Sequence, residues 1–193
     1  MMVGDINPAA VESQHYERLE VNPDFDEIYN EVAPSVNRYL RRLTGSRTLA
    51  EDILQETFMK LHAQLEAGLT ISHPRAWLFQ VATNLTKDEK RNEIRLAVRE
   101  ERYSTQLNTV VDFHSQLEKQ QVVRRTLDRL TPRMRQVLLL FSEGFTYREI
   151  SEISGVEPAY VGVLLQRARA AFKKHYEEEH GRNHGERYHS NSL

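Results

Sequence analysis

The chain has 193 residues, of which 39% are hydrophobic and 28% charged, a length that allows one medium domain or two small ones with marginal cores. Its longest strictly apolar run, Val137 to Phe141, is far too short to cross a bilayer, and the N-terminal MMVGDINPAAVESQH has neither the basic flank nor the apolar segment of a secretory signal. The absence of cysteine excludes disulfides, thiolate zinc sites and thiol catalysis, which together with the lack of a signal points to a cytoplasmic compartment.

The net charge of −2 conceals a segregation. Residues 1 to 70 carry 6 Lys and Arg against 12 Asp and Glu, whereas residues 119 to 174 carry 11 against 5. Two ends of opposite sign suit different partners, and the basic end is a candidate for a phosphate backbone.

Residues 1 to 23 lack periodicity and read as a mobile arm. From Phe25 the apolar positions Phe25, Ile28, Tyr29, Val32, Val36, Tyr39, Leu40 and Leu43 follow the three-and-four spacing of an amphipathic helix, bent or restarted near Pro34 and stopped at Gly45. The next helix contains AEDILQETFMK. At about 100° per residue, Ile53, Leu54, Thr57, Phe58 and Leu61 share one face, and Asp52, Gln55, Glu56 and Met59 share the other. These acids point outward, and the nearest histidine, His62, stands alone, so neither a metal site nor a catalytic pair is built there. Either a solvated face or a protein interface remains, and an outward Met59 favours the interface.

A loop, EAGLTISHP, leads to a third helix with Ser72 as the expected N-cap and Pro74 in the first turn. Its core face is Leu78, Val81, Ala82 and Leu85. Gln80, Asn84, Lys87, Arg91 and Arg95 fall within roughly 80° of one another and form a polar, basic stripe that is either a solvated face or a surface able to follow a sugar-phosphate backbone, with Asn and Gln suited to unpaired bases. Trp77 stands between stripe and core, where it could either stack on a base or simply pack.

Residues 96 to 116 have mixed charge and no sustained period, as a linker would. A second unit spans about 117 to 176. TPRMRQVLLLFSEG opens with a Thr-Pro entry, and TYREISEISG carries a Thr146 to Glu149 capping box and a closing Gly155. A last helix from about Pro158 to Tyr176 follows the short turn SGVE, which makes a helix-turn-helix. Its second helix would offer Glu157, Tyr160, Val163, Gln166 and Arg167 to base edges and Arg169, Lys173 and Lys174 to phosphates. Residues 177 to 193 read as a polar tail studded with histidines and without fixed metal-ligand spacing.

In this order the pieces resemble a bacterial sigma factor of the sigma-70 family, in its extracytoplasmic-function group. AEDILQETF resembles the core-binding segment of region 2, HPRAWLFQVATNLTKDEKR the promoter-melting and minus-10-reading segments, and LTPRMRQVLLLFSEGFTYREISEISGV with LLQRARAAF region 4. The resemblance covers about residues 25 to 176 and implies an all-α fold: region 2 over 24 to 95, a flexible linker, and region 4 over 117 to 176.

It further implies that Asp52, Gln55, Glu56 and Met59 dock on the clamp of the largest subunit of core RNA polymerase, with a second contact to the flap of the second largest. The loop Ala67 to His73, Trp77 and the stripe Gln80, Asn84, Lys87, Arg91 and Arg95 would capture the minus-10 non-template strand with a flipped base. The last helix would read minus-35 duplex in the major groove. No cofactor and no catalytic residue is implied, and an anti-sigma protein is a family partner without a residue signature here.

One departure stands out. Where members of the group carry a Thr-Val-Lys-Ser-Arg run, this chain has Tyr160, Val161, Gly162, Val163 and Leu164. Two cations are missing, and the expected minus-35 readout either leans on Tyr160, Gln166 and Arg167 with apolar contact to thymine methyls or is unusually weak. Two other classes compete. A stand-alone helix-turn-helix regulator would explain the basic end but not the acidic face with the basic stripe, and a nucleic-acid-processing enzyme lacks a phosphate loop, a zinc motif or a Ser/His/Asp set.

Overall fold

A computed structural model describes residues 24–99 and 116–189; the expected N-terminal arm and most of the expected linker lie outside them. The described residues form seven α-helices and no strand: α1 Phe25–Thr44, α2 Arg47–Glu66, α3 Pro74–Arg99, α4 Gln116–Asp128, α5 Pro132–Ser142, α6 Tyr147–Ser154 and α7 Pro158–His189. Helices α1 to α3 pack on one another as a first bundle, and α4 to α7 form a second in which α7 touches α4, α5 and α6. The bundles meet along α3 with α6 and α1 with α5.

Local chemistry sets the boundaries. Helix α1 runs unbroken through Pro34, whose missing donor falls on an exposed turn, where the Ser35 hydroxyl donates to the Val32 carbonyl at 2.8 Å. Gly45 closes α1 in the left-handed region at φ 71°, and Ser46 begins α2 by accepting the Leu49 N–H. The first backbone bond of α3, Trp77 N–H to the His73 carbonyl, puts His73 rather than the expected Ser72 at the cap position, with Pro74 following at the first helical residue. Thr131 caps α5, and Thr146 with Glu149 forms the expected capping box of α6. Gly155, at φ 73°, turns the chain into α7.

Two helices outrun their sequence-based limits. Helix α3 continues past Arg95 to Arg99, and α7 continues past Tyr176 to His189, into the expected tail. The extension of α7 has a tertiary cause. Glu178 pairs with Arg129 of α4 at 2.7 Å, while buried Glu179 lies 3.9 Å from Arg125 and 3.8 Å from Arg129. Those acids, polar tail residues in the linear sequence, become the clasp between the first and last helices of the second bundle.

The core of the first bundle centres on Val36, Tyr39, Leu40, Leu61, Leu78 and Phe79, and that of the second on Val137, Leu140, Ile150, Val161 and Leu165. They fuse where Phe79 meets Phe145 edge to face, with centroids 4.8 Å apart.

Candidate interaction surfaces

Helix α2 presents its outer face as the heptad geometry requires. Ile53, Thr57, Phe58 and Leu61 are buried, while Asp52, Gln55, Glu56 and Met59 are exposed, Met59 to 64%. Beside them lies a cavity of about 410 Å³ lined by Phe25, Tyr29, Leu54, Phe58 and His62 together with Glu51, Gln55 and Met59. The aromatic lining holds itself in place: Tyr29 meets Phe58 at 4.8 Å and Phe25 meets His62 at 5.4 Å, both edge to face. The result is a largely apolar groove with Glu51 in its lining. Sequence periodicity assigned Phe25 and Tyr29 to the core stripe of α1, yet Tyr29 remains 43% exposed in the wall of this groove.

Helix α3 carries the basic stripe, and the structure divides it. Asn84, Arg91 and Arg95 are exposed, Arg91 pairing with Asp88 at 3.0 Å and Arg95 donating to the Asn92 side chain at 2.5 Å. Gln80, which is also exposed, and half-buried Lys87 reach the second bundle. Gln80 Nε2 donates to the Glu152 carbonyl at 3.4 Å and Lys87 Nζ to the Ser154 carbonyl at 3.1 Å, both at the C-terminal end of α6. Partial burial there lowers the Lys87 pKa below the ordinary lysine value, assisted by the charges of Arg91 and Arg133 and opposed by Asp88. Trp77 is half-buried and packs against the core.

On α7, buried Val161, Leu164, Leu165 and Ala168 seat the helix, which leaves Glu157, Tyr160, Val163, Gln166 and Arg167 on the outside. Arg167 Nη1 donates to the Tyr160 hydroxyl at 3.0 Å, so these two side chains are placed as a unit. Arg169 lies over the Phe141 ring at 4.3 Å, Lys173 is 3.9 Å from Glu177, and Lys174 is exposed.

The periodic signal did not reveal the residues that join the bundles. Arg38 of α1 holds the Glu143 carboxylate with two parallel bonds, Nε to Oε1 at 3.1 Å and Nη2 to Oε2 at 2.7 Å, and only 5% of that acid's side chain is exposed. Arg75 donates to the Glu143 carbonyl and stacks over Phe145 at 4.2 Å. These are an ordinary exposed arginine and a loop glutamate in the sequence. Only a partner 105 positions away gives them meaning.

Among the described residues no group of three or more His, Asp or Glu side chains could hold a metal ion, and no helix is long and apolar enough to cross a membrane.

Known proteins match this arrangement along most of the chain. The family model for sigma-70 region 2 matches residues 28–95 and that for sigma-70 region 4 matches residues 120–172. The extracytoplasmic-function (ECF) RNA polymerase sigma factor SigM of Bacillus subtilis is 30% identical over 154 residues, 78% of this chain and 94% of that protein. The ECF sigma factor EcfG of Rhodopseudomonas palustris is 27% identical, over 72% of this chain and 77% of its own. In fold, the chain is similar to the sigma factor RpoE of Bartonella quintana, solved with the anti-sigma factor NepR: TM-score 0.70, 23% identity, 80% of this chain and 97% of that one. The groove, the stripe and the helix-turn-helix therefore sit in a known frame: this chain belongs to the extracytoplasmic-function group of the sigma-70 family and is an RNA polymerase sigma factor.

Proposed function

We propose that the three surfaces divide the work of initiation as the residue chemistry suggests. The acidic rim Asp52, Gln55 and Glu56, with Met59 and the aromatic groove behind it, docks on core RNA polymerase at the clamp of its largest subunit, and region 4 makes a second contact at the flap. Exposed apolar surface rimmed by charge is the usual composition of a protein interface, and the single observation that carries this assignment is the 64% exposure of Met59 beside an open aromatic groove.

Region 2 takes the minus-10 non-template strand on the loop Ala67 to His73 and the stripe Gln80, Asn84, Lys87, Arg91 and Arg95, with Trp77 at its margin. Region 4 reads minus-35 duplex through Glu157, Tyr160, Val163, Gln166 and Arg167, while Arg169, Lys173 and Lys174 approach phosphates. Domain limits of 24 to 95 and 117 to 176 follow from this division. Polymerase supplies the chemistry, and this chain, acting in the bacterial cytoplasm without catalysis of its own, selects the site. An anti-sigma protein is the third partner in this scheme.

In vitro transcription from a genomic promoter library, with purified core polymerase, tests the assignment. Glu56→Lys is expected to weaken core binding at least tenfold, about 1.4 kcal/mol, while leaving the helical circular dichroism unchanged. Unchanged core affinity would return α2 to a solvated face.

A further inference from the structure

The outer face of α7 carries two arginines that have no acid. Arg167 and Arg169 are both exposed, and neither forms an ion pair with a carboxylate of the described residues, whereas Lys173, one turn beyond Arg169, lies 3.9 Å from Glu177. Each arginine is held by an aromatic side chain instead. The Arg169 guanidinium lies over the Phe141 ring at 4.3 Å from its centroid, and Arg167 donates to the Tyr160 hydroxyl at 3.0 Å with its guanidinium 6.0 Å from that ring.

The two holders differ in kind. Tyr160 is an exposed neighbour two turns earlier on the same helix, while Phe141 belongs to α5, is half-buried and packs against the core. Its other neighbour is Tyr147 of α6, whose ring stands 6.2 Å away and lies over Gly162 of α7, 3.4 Å from where a β-carbon would be. The ring under Arg169 is therefore fixed by three helices.

An aromatic face holds a guanidinium without neutralising it. A carboxylate would cancel the charge and occupy the N–H donors that a phosphate needs, whereas the ring attracts the flat face of the cation and leaves the donors at its edge free. An arginine already laid on a ring has also lost part of the rotamer freedom that binding would otherwise remove. This matters in a chain short of cations at this place. Tyr160, Val161, Gly162, Val163 and Leu164 contribute none, so the charge that α7 can offer to a duplex is concentrated in a few side chains further along.

We infer that Phe141 is a positioning residue for minus-35 binding: its ring presents the Arg169 guanidinium, preset and with its charge uncompensated, to a duplex phosphate, and Tyr147 braces the ring. The inference rests on the assignment of Arg169 to phosphate under the proposed function. Phe141 acts only through Arg169, which lies across its ring.

The test uses holoenzyme assembled from core polymerase and the full chain. The probe is a duplex taken from the fragment most strongly transcribed in the genomic library and ended upstream of the minus-10 element, and its affinity is followed through a salt series. Arg169→Ala removes a phosphate contact and is expected to weaken binding and to lower the slope of log affinity against log salt by about 0.9. Phe141→Leu keeps an apolar side chain and removes the ring. It is expected to weaken binding about two- to fivefold, the range of an exposed cation–π contact, with the slope unchanged because Arg169 still reaches its phosphate. In the Arg169→Ala background the same change should have no effect, and Phe141→Tyr, which keeps a ring, should bind as the parent does. Circular dichroism and thermal unfolding of each variant separate a lost ring from a lost fold.

Parental affinity in Phe141→Leu overturns the inference. So does an equal loss with and without Arg169, since the ring would then act on the fold alone. If Arg169→Ala changes neither affinity nor slope, the assignment of Arg169 to phosphate falls, and if no fragment of the library gains initiation, the proposed function itself falls.

Discussion

The hydroxyls of Tyr39 on α1 and Thr83 on α3 lie 2.8 Å apart at the closed centre of the first bundle, where both residues are fully shielded from water. Burial raises the Tyr39 pKa well above the ordinary tyrosine value, and the Thr83 hydrogen bond opposes that rise only in part. The pair ties together α1, which carries Arg38, and α3, which carries the basic stripe.

Removing one member leaves the other desolvated and unpaired. Tyr39→Phe should cost about 1–2 kcal/mol of unfolding free energy, and Tyr39→Phe with Thr83→Val should cost less than the single change, because two apolar groups of similar shape leave nothing unsatisfied. Urea denaturation of the three variants measures this, and an additive double variant would show that the two hydroxyls do not act as a pair.

Lys87 should report the contact between the bundles by its titration. Its folded pKa lies below the ordinary lysine value because burial desolvates the ammonium and Arg91 and Arg133 stand near it, so the folded form binds fewer protons than the unfolded one at alkaline pH. The cost of burying the charge is fully present below the lowered value and is relieved as pH rises through it toward 10.5. The Lys87 contribution to folding thus becomes more favourable in that alkaline window and is constant near neutrality. Titration of the Lys87 side chain by NMR should show the lowered value in the parent and a return toward 10.5 in Arg38→Glu; equal values in both would separate Lys87 from that contact.

Gly162 lies inside α7, where glycine costs up to about 1 kcal/mol relative to alanine. A β-carbon there would meet Cε2 of Tyr147 at 3.4 Å, an ordinary contact. Gly162→Ala should therefore stabilise the protein by about 0.5–1 kcal/mol and raise its melting temperature. A lower melting temperature would show that the Tyr147 ring cannot give way, and that the glycine is there for packing.

Much of this protein is legible in the linear chain. Helices α1, α2, α3, α5 and α6 and the first part of α7 follow from apolar spacing and from stop and start signals such as Gly45, Thr146 with Glu149, and Gly155, because these are local, whereas α4 and the end of α7 carried no such signal. The outward turn of Asp52, Gln55, Glu56 and Met59 is equally local, since helix periodicity alone decides it. Family membership followed from the order of three such segments.

Other features were decided by packing between distant segments. Periodicity places Lys87 on a free basic face, but the end of α6 satisfies it. Composition makes Glu178 and Glu179 part of a polar tail, but Arg125 and Arg129 draw them into α7. Arg38 and Glu143 have no neighbours in sequence that announce a pair, and their two parallel bonds exist only because α1 and α5 cross. Local propensity acts over a turn or two of helix, whereas the satisfaction of a buried charge can be answered from anywhere in the chain. The sequence by itself therefore determined which surfaces this sigma factor has, and the tertiary structure decided which of them are open.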